Sequence, residues 1–485
     1  MLKFKSREVA LTKDLELELT LPAFIFNIKN SNPRSREGYC RLREGTVSCA
    51  LTEPILADSK NFVKCYNILM VYFVHPQIKF NIENLKNLFF SFFRSPDEKE
   101  LKKLKNFFPQ KELIFTDMAR SAFKLIVEKM GLQNSEILFP AYICDIFFPI
   151  LKEYNLSPIF LDIDKKTFHI KIEDIEKKIT PETKSILVCH TYGLPIDIKK
   201  IREILIQHPT SNIQYPFVIE DCAHAFGATY NGIPLGNSGD AAFFSLYKQF
   251  PSLRGGLTVI NEVINEGQGR VRGGSGEGQE RVRPSLLGTK FDLRDFVSLL
   301  NCFSPFAFLF KKFGGKIAPK MLRKEKLKTP TQINQVSLNL FLYFFKNFEE
   351  NLKRRIELAL FFQEELKKLG FEVQKSEGNV FCYLSALAPQ NLNRDKFVRE
   401  LRKYGIFATR IWKDPIILNP KVQKEYKINL AEFPNTIEVA KRIINFPLQN
   451  FYSKKDIEKM IFSIKRVLNS LLISQKYQDN KHSFH

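Results

Sequence analysis

From about residue 111 onward, short apolar runs alternate with amphipathic stretches, and this alternation constrains the fold more than any other feature of the chain. "SEILFP", "SPIFLDID", "KSILVCH" and "PFVIED" each hold about four to six apolar residues and end in polar or turn residues. Helical stretches such as "FFPILKEY" and "DIKKIREILIQ" separate them. Strand-length runs spaced by helices predict βαβ units, an α/β fold with a mostly parallel sheet covered by helices on both faces. In open α/β sheets ligands gather at the carboxyl ends of the strands. His190, Glu220, Asp221 and Lys248 each follow an apolar run and therefore fall at that edge. Upstream, "SAFKLIVEKM" places its apolar residues on one helical face, with Ser121 as the expected N-cap.

The chain has 485 residues, enough for two or three domains. Residues 1–69 lack sustained periodicity and read as an N-terminal extension without regular structure, after which "MVYFVHPQIKF" resembles the start of an ordinary protein. Residues 70–340 read as a large α/β domain, interrupted at 262–285 by a glycine-rich segment with an internal echo, "EGQGRVR" and "EGQERVR". That segment predicts a flexible, solvated insertion. A long helical pattern then leads into a smaller C-terminal α/β domain, 341–475, containing "NVFCYLSAL" and "FVRELRKYGIFATRIW", with 476–485 as a frayed tail.

The eight cysteines form no CxxC pair and no zinc-like grouping with histidine, which predicts free thiols in a reducing cytosol. No apolar segment of signal-peptide character opens the chain, so a cytoplasmic location is expected. "FVSLLNCFSPFAFLF" is too short and too interrupted to span a bilayer, which predicts an internal helix or a surface-lying hairpin and no stable membrane insertion. The formal net charge of +22 is spread among 52 acids and favours anionic small molecules, nucleic acid or anionic lipid as partners.

"PFVIEDCAHAFGATYNGIPLGNSGDAAFFSLYK" delivers Asp221 to the end of one strand and Lys248 to the end of the next. The pair is either a salt bridge or the two groups that pyridoxal phosphate requires: an amine for a Schiff base and an acid to keep the pyridine nitrogen protonated. Spacing alone leaves both readings open.

The stretch "VIEDCAHAFGATYNGIPLGNSGDAAFFS", followed by Lys248 and Gly255-Gly256, resembles the core signature of the DegT/DnrJ/EryC1/StrS aminotransferases. These are fold-type-I pyridoxal-phosphate enzymes that aminate nucleotide-linked keto-sugars. Similar segments, in the same order, cover roughly residues 110–470. The resemblance implies that Lys248 is the Schiff-base lysine and proton carrier, that Asp221 binds the pyridine nitrogen, and that His224 lies near the ring and its phenolic oxygen. It implies a phosphate site at Ser121, Ala122 and Ser245. At the expected position of the ring-stacking aromatic stands Cys144, with Tyr142 as a substitute, and the step from Ser245 to Lys248 is three residues where the family often has five. His190 and Tyr192 are expected to shape a turn beneath the cofactor, while Arg410 and Trp412 are weaker candidates for substrate contact. An amino-acid donor, glutamate or glutamine, a nucleotide-sugar acceptor and a homodimer are implied by the resemblance, with no nucleic-acid partner. Two rivals are a dehydratase-type relative, which carries histidine in place of the lysine, and a cofactor-free basic binding protein.

Overall fold

The structure is a computed structural model that describes residues 71–208, 215–261, 289–304, 307–308 and 329–482, without the side chains of 472 and 474–482. The segments read as an N-terminal extension and as a glycine-rich insertion lie outside the described residues.

The four apolar runs become strands. With their neighbours they form a seven-stranded sheet from β1 (Lys111–Thr116), β2 (Glu136–Pro140), β3 (Ser157–Leu161), β4 (Thr183–Cys189), β5 (Phe217–Asp221), β6 (Ala241–Ser245) and β7 (Gly256–Asn261). Their spatial order is β1-β7-β6-β5-β4-β2-β3, and only β7 runs antiparallel to its neighbours. The runs read as continuous apolar segments because both sheet faces are covered. On one face Ile137, Phe139, Leu187, Ile219 and Phe243 pack with Phe123 and Ile126 of helix α1 (Ala119–Lys129). On the other, Leu138, Ile186 and Val218 pack against Ile201 and Leu205.

The turn from β1 into α1 differs from the sequence expectation. Helix α1 begins at Ala119 with Met118 as its N-cap, so Ser121 lies inside the first turn and is not the cap. The reason is a local bond: the Thr116 hydroxyl donates to the Met118 carbonyl at 2.9 Å, and that carbonyl also accepts from the amides of Ser121 and Ala122.

Beyond the sheet, the long helical pattern splits into α2 (Gln335–Phe345) and α3 (Phe348–Lys368). A second, antiparallel sheet of β8 (Glu372–Val373), β9 (Leu384–Leu387) and β10 (Ile443–Phe446) shares a core with α3 and with the final helix α4 (Lys454–His482) through Phe362, Leu366, Phe446, Ile457 and Met460. The segment read as a frayed tail continues α4 to His482, since it contains neither glycine nor proline to stop a helix. Tyr72–Phe73 pairs in parallel with Ile406–Phe407, which ties the start of the described chain to the second sheet's side of the fold.

At Gly256 the backbone of β7 passes so close to the α1 entry that a β-carbon would stand 2.4 Å from the Met118 carbonyl oxygen and 2.5 Å from the Thr116 hydroxyl. Gly256→Ala should therefore cost at least about 1–3 kcal/mol, measurable by denaturant unfolding. A second expectation concerns acid. His169 is buried and hydrogen-bonded to the Leu194 carbonyl at 3.0 Å, and burial, with His190 adding to it, pulls its pKa from 6.5 down to about 3. Between those values the unfolded chain binds the extra proton, so this residue makes stability fall as pH drops from 6.5 towards 3. His169→Asn should flatten that part of the stability profile.

Candidate active site

Register places the candidate residues on one edge. Cys189, Asp221 and Phe243 lie level across β4, β5 and β6, so everything that follows them projects from the carboxyl end of the sheet. The short helix Leu246–Gln249 leaves β6 directly and carries Lys248, whose Nζ lies 3.0 Å from His224 Nε2. The Lys248 carbonyl receives the Cys382 thiol at 3.6 Å, which fixes this helix against the chain before β9.

Asp221 is buried, and its Oδ1 accepts the Ala223 amide at 2.9 Å. Burial raises its pKa, and the positive charge of Lys248 opposes that rise. For Lys248, burial works against the charge while Tyr247 and Asp221 favour it, and the balance lies above the ordinary lysine value. His224 is held neutral, its pKa driven well down by burial and then by Lys248. Both ring nitrogens of His224 face nitrogen neighbours: the Tyr192 amide donates to Nδ1 at 3.3 Å, and Nε2 meets Lys248. A neutral imidazole has one acceptor nitrogen. The local hydrogen bonds are therefore complete when Lys248 is a free amine accepting from Nε2–H, even though the wider field favours its charged form.

Beneath this pair lies a saturated network. Buried Glu220 accepts from His190 Nε2 at 3.0 Å and from the amides of Gly236 and Gly239, while His190 Nδ1 accepts the Ile196 amide at 3.2 Å. Burial raises the Glu220 pKa, but these donors outweigh it and hold the group below the usual carboxylate range. His190 and Tyr192 thus shape the turn after β4, where Tyr192 takes a left-handed backbone conformation with φ of 59°.

The remaining sequence candidates divide. Ser245 is buried at the end of β6 and its Oγ has no hydrogen-bond partner among the described residues. Ser121 and Ala122 are buried in the first turn of α1, whose cap offers no side-chain acceptor to the leading amides. Cys144 comes close enough for Lys248 and Asp221 to act on its thiol, although burial dominates and raises its pKa. Tyr142 is enclosed, with its ring against Phe168, Tyr192 and Trp412 and its hydroxyl 2.8 Å from that of Tyr192, which in turn donates to the Ile411 carbonyl. Trp412 packs on the His224 ring with centroids 4.9 Å apart, and Tyr383 meets the same ring edge-on at 5.1 Å. Arg410 pairs with Asp395 instead of turning to this group.

Sequence reasoning missed Tyr247, Tyr383, Cys382 and Arg120. Tyr247 adjoins Lys248 and Arg120 adjoins Ser121, so both could have been noted there; Tyr383 and Cys382 come from a distant segment and carry no local signal. Tyr247 and Met118 line a cavity of about 460 Å³ together with Ser252, Arg254 and Arg294. Arg120 has its pKa lowered by burial, with Tyr247 opposing.

A seven-stranded mixed sheet in this order, with a lysine and an aspartate at its carboxyl edge, has the α/β fold of the fold-type-I class. Comparison with known proteins supports that class and narrows it. The description "DegT/DnrJ/EryC1/StrS aminotransferase family" matches residues 96–303 and 306–465, and the chain belongs to that family. It is 30% identical over 371 residues to GDP-perosamine synthase of Caulobacter vibrioides, covering 74% of this chain and 86% of that protein. It is 27% identical over 332 residues to the uncharacterized protein MJ1066 of Methanocaldococcus jannaschii, covering 66% of this chain and 76% of that one. Among solved structures, the PLP-form of Spr1654 from Streptococcus pneumoniae superposes with a TM-score of 0.63 at 17% identity, covering 82% of this chain and 99% of that one.

Glu220→Ala would strand His190 and two buried amides together. Stability should fall by about 3–5 kcal/mol in denaturant unfolding, whereas Glu220→Gln, which keeps an acceptor, should cost less.

Proposed function

We propose that this protein is a pyridoxal-phosphate-dependent aminotransferase that moves an amino group from an amino acid, glutamate or glutamine, to a nucleotide-linked keto-sugar. The observation that carries this reading is Lys248 at the carboxyl edge of the sheet, 3.0 Å from a neutral His224 and within the field of buried Asp221, in a chain of this family.

The residues present fit the cofactor. Ser245 keeps a buried hydroxyl with no hydrogen-bond partner among the described residues, which a phosphate oxygen would satisfy. Asp221 would hold the pyridine nitrogen, and Lys248 would receive the aldehyde. When bound, the cofactor supplies an aldehyde that receives the donor's nitrogen and a ring that draws electrons from the reacting carbon.

The protein's own part is positioning and proton control. His224 Nε2, 3.0 Å from Lys248 Nζ, orients that side chain, and Trp412 and Tyr192, at 4.9 and 5.6 Å between ring centroids, hold the plane of the imidazole. With the cofactor bound, Lys248 Nζ would be the base that carries a proton to and from the substrate carbon. Cys144 would stand where the family resemblance expects a stacking aromatic. The basic field suits the diphosphate of a nucleotide-sugar. Substrate, donor, a homodimer and a cytoplasmic site of action belong to this reading. Among the described residues no helix is long and apolar enough to cross a membrane.

The test is an absorption titration of the purified protein with pyridoxal phosphate beside Lys248→Ala, followed by borohydride reduction. The wild type should gain the long-wavelength band of a lysine-bound cofactor, and reduction should fix the cofactor on Lys248. Absence of the band from both proteins would overturn the reading. Ser245→Ala separates the phosphate role from a structural one. Removing an unpaired buried hydroxyl should leave the free protein equally or more stable, while cofactor affinity falls about tenfold.

A further inference from the structure

Two arginines near the Lys248 helix are treated differently by the fold. Arg254 is held by Asp292 and Asp295, which outweigh burial and raise its pKa. Arg355, on α3, has no carboxylate partner among the described residues. Its Nη2 donates to the Gln249 carbonyl at 3.3 Å, and although the side chain is partly exposed its Nε is buried without an acceptor. Burial lowers the Arg355 pKa, with the Cys382 thiol opposing. A desolvated guanidinium that lacks a counter-ion is costly, so this position favours an anion.

Gln249, which follows Lys248, carries the complementary defect. It is 4% exposed, and its Nε2 donates to the His224 carbonyl at 3.4 Å, which fixes the amide's orientation. Oε1 is left buried with no donor among the described residues. Arg355 and Gln249 line one cavity of about 230 Å³ together with Asn347, Asn351, Gln449 and Asn450, and neither Lys248 nor His224 is part of that lining. The carboxamides offer donors and acceptors without net charge. Lys79 and Glu83 also border the cavity, and Glu83 accepts from the Tyr343 hydroxyl at 3.3 Å, so the balance of charge around it is positive.

The missing partners define a ligand. Arg355 lacks an anionic acceptor, and the fork of a carboxylate matches a guanidinium edge. Gln249 Oε1 lacks an O–H or N–H donor. A small hydroxy- or amino-carboxylate brings both in one molecule, whereas sulfate brings acceptors alone.

We propose that this cavity is a second binding site, taking a small carboxylate that also carries a hydroxyl or amine donor: Arg355 holds the carboxylate and Gln249 Oε1 receives the donor. The proposal does not rest on the aminotransferase reading, because neither residue belongs to the candidate active site.

The test is isothermal titration calorimetry of the full-length protein with L-malate, which has no amine and cannot enter amino transfer. Saturable binding is expected, at least about tenfold tighter than that of sulfate or of succinate, which lacks the hydroxyl. L-Aspartate, with an amine in the hydroxyl's place, shows which donor the site prefers. Arg355→Met keeps the aliphatic stem and should lose at least about tenfold in malate affinity. Its melting temperature without ligand should be unchanged or higher, because an unpaired buried donor is removed. Gln249→Glu, which sets a negative charge against the carboxylate, should abolish malate binding, whereas Lys248→Ala should bind malate as the wild type does. Absence of saturable binding, equal binding of sulfate, or undiminished binding by Arg355→Met overturns the proposal. So does loss of malate binding in Lys248→Ala, since that result assigns the carboxylate to the candidate active site.

Discussion

Glu220 is the group on which the rest of the site depends. A carboxylate inside a protein is costly unless its lone pairs are filled, and here one imidazole and two backbone amides fill them. The donors come from two parts of the chain: His190 after β4, and Gly236 and Gly239 ahead of β6. One buried charge therefore ties the turn after β4 to the approach to β6, across β5. Gly239 has no room for a side chain, since a β-carbon would stand 2.9 Å from the Glu220 side chain and from the Val218 carbonyl. The chemistry-bearing residues, Asp221 and His224, follow Glu220 by one and four positions, so its anchoring sets where they stand.

Above that anchor the site is built from opposing electrostatic demands. Burial disfavours charge on Asp221, His224 and Lys248 alike. Asp221 and Lys248 favour each other's charge, while His224 yields and stays neutral. Its neutral ring lies in a box of Tyr192, Tyr383 and Trp412, drawn from the turn after β4, the approach to β9 and the segment after residue 410. The second sheet's side of the fold therefore contributes walls to the site, while the acid and amine both come from the large sheet.

Much of the large sheet was legible because doubly covered strands leave continuous apolar runs that alternate with helical ones. The four runs picked out in the sequence are β2, β3, β4 and β5. The positions of Asp221, His224 and Lys248 together were legible only with the family resemblance, since strand-to-strand spacing cannot tell an ion pair from a cofactor site. Ser121 was misplaced as a cap because propensity favours serine there, whereas the Thr116 bond to the Met118 carbonyl starts the helix earlier. By its place in the motif Tyr142 is only a substitute for the aromatic expected at Cys144. Its hydroxyl closes a buried chain through Tyr192 to the Ile411 carbonyl, a partner 219 residues from Tyr192 in the sequence.

By itself, then, the sequence determined the α/β class, the strands and the residue types delivered to their ends, because those follow from local periodicity and short connections. Only the tertiary structure decided which of those residues face one another. Contacts such as Trp412 on His224, Cys382 on the Lys248 carbonyl and Arg355 on the Gln249 carbonyl join segments far apart in the chain. Long-range packing and the filling of buried hydrogen bonds set them, and neither leaves a periodic trace in the sequence.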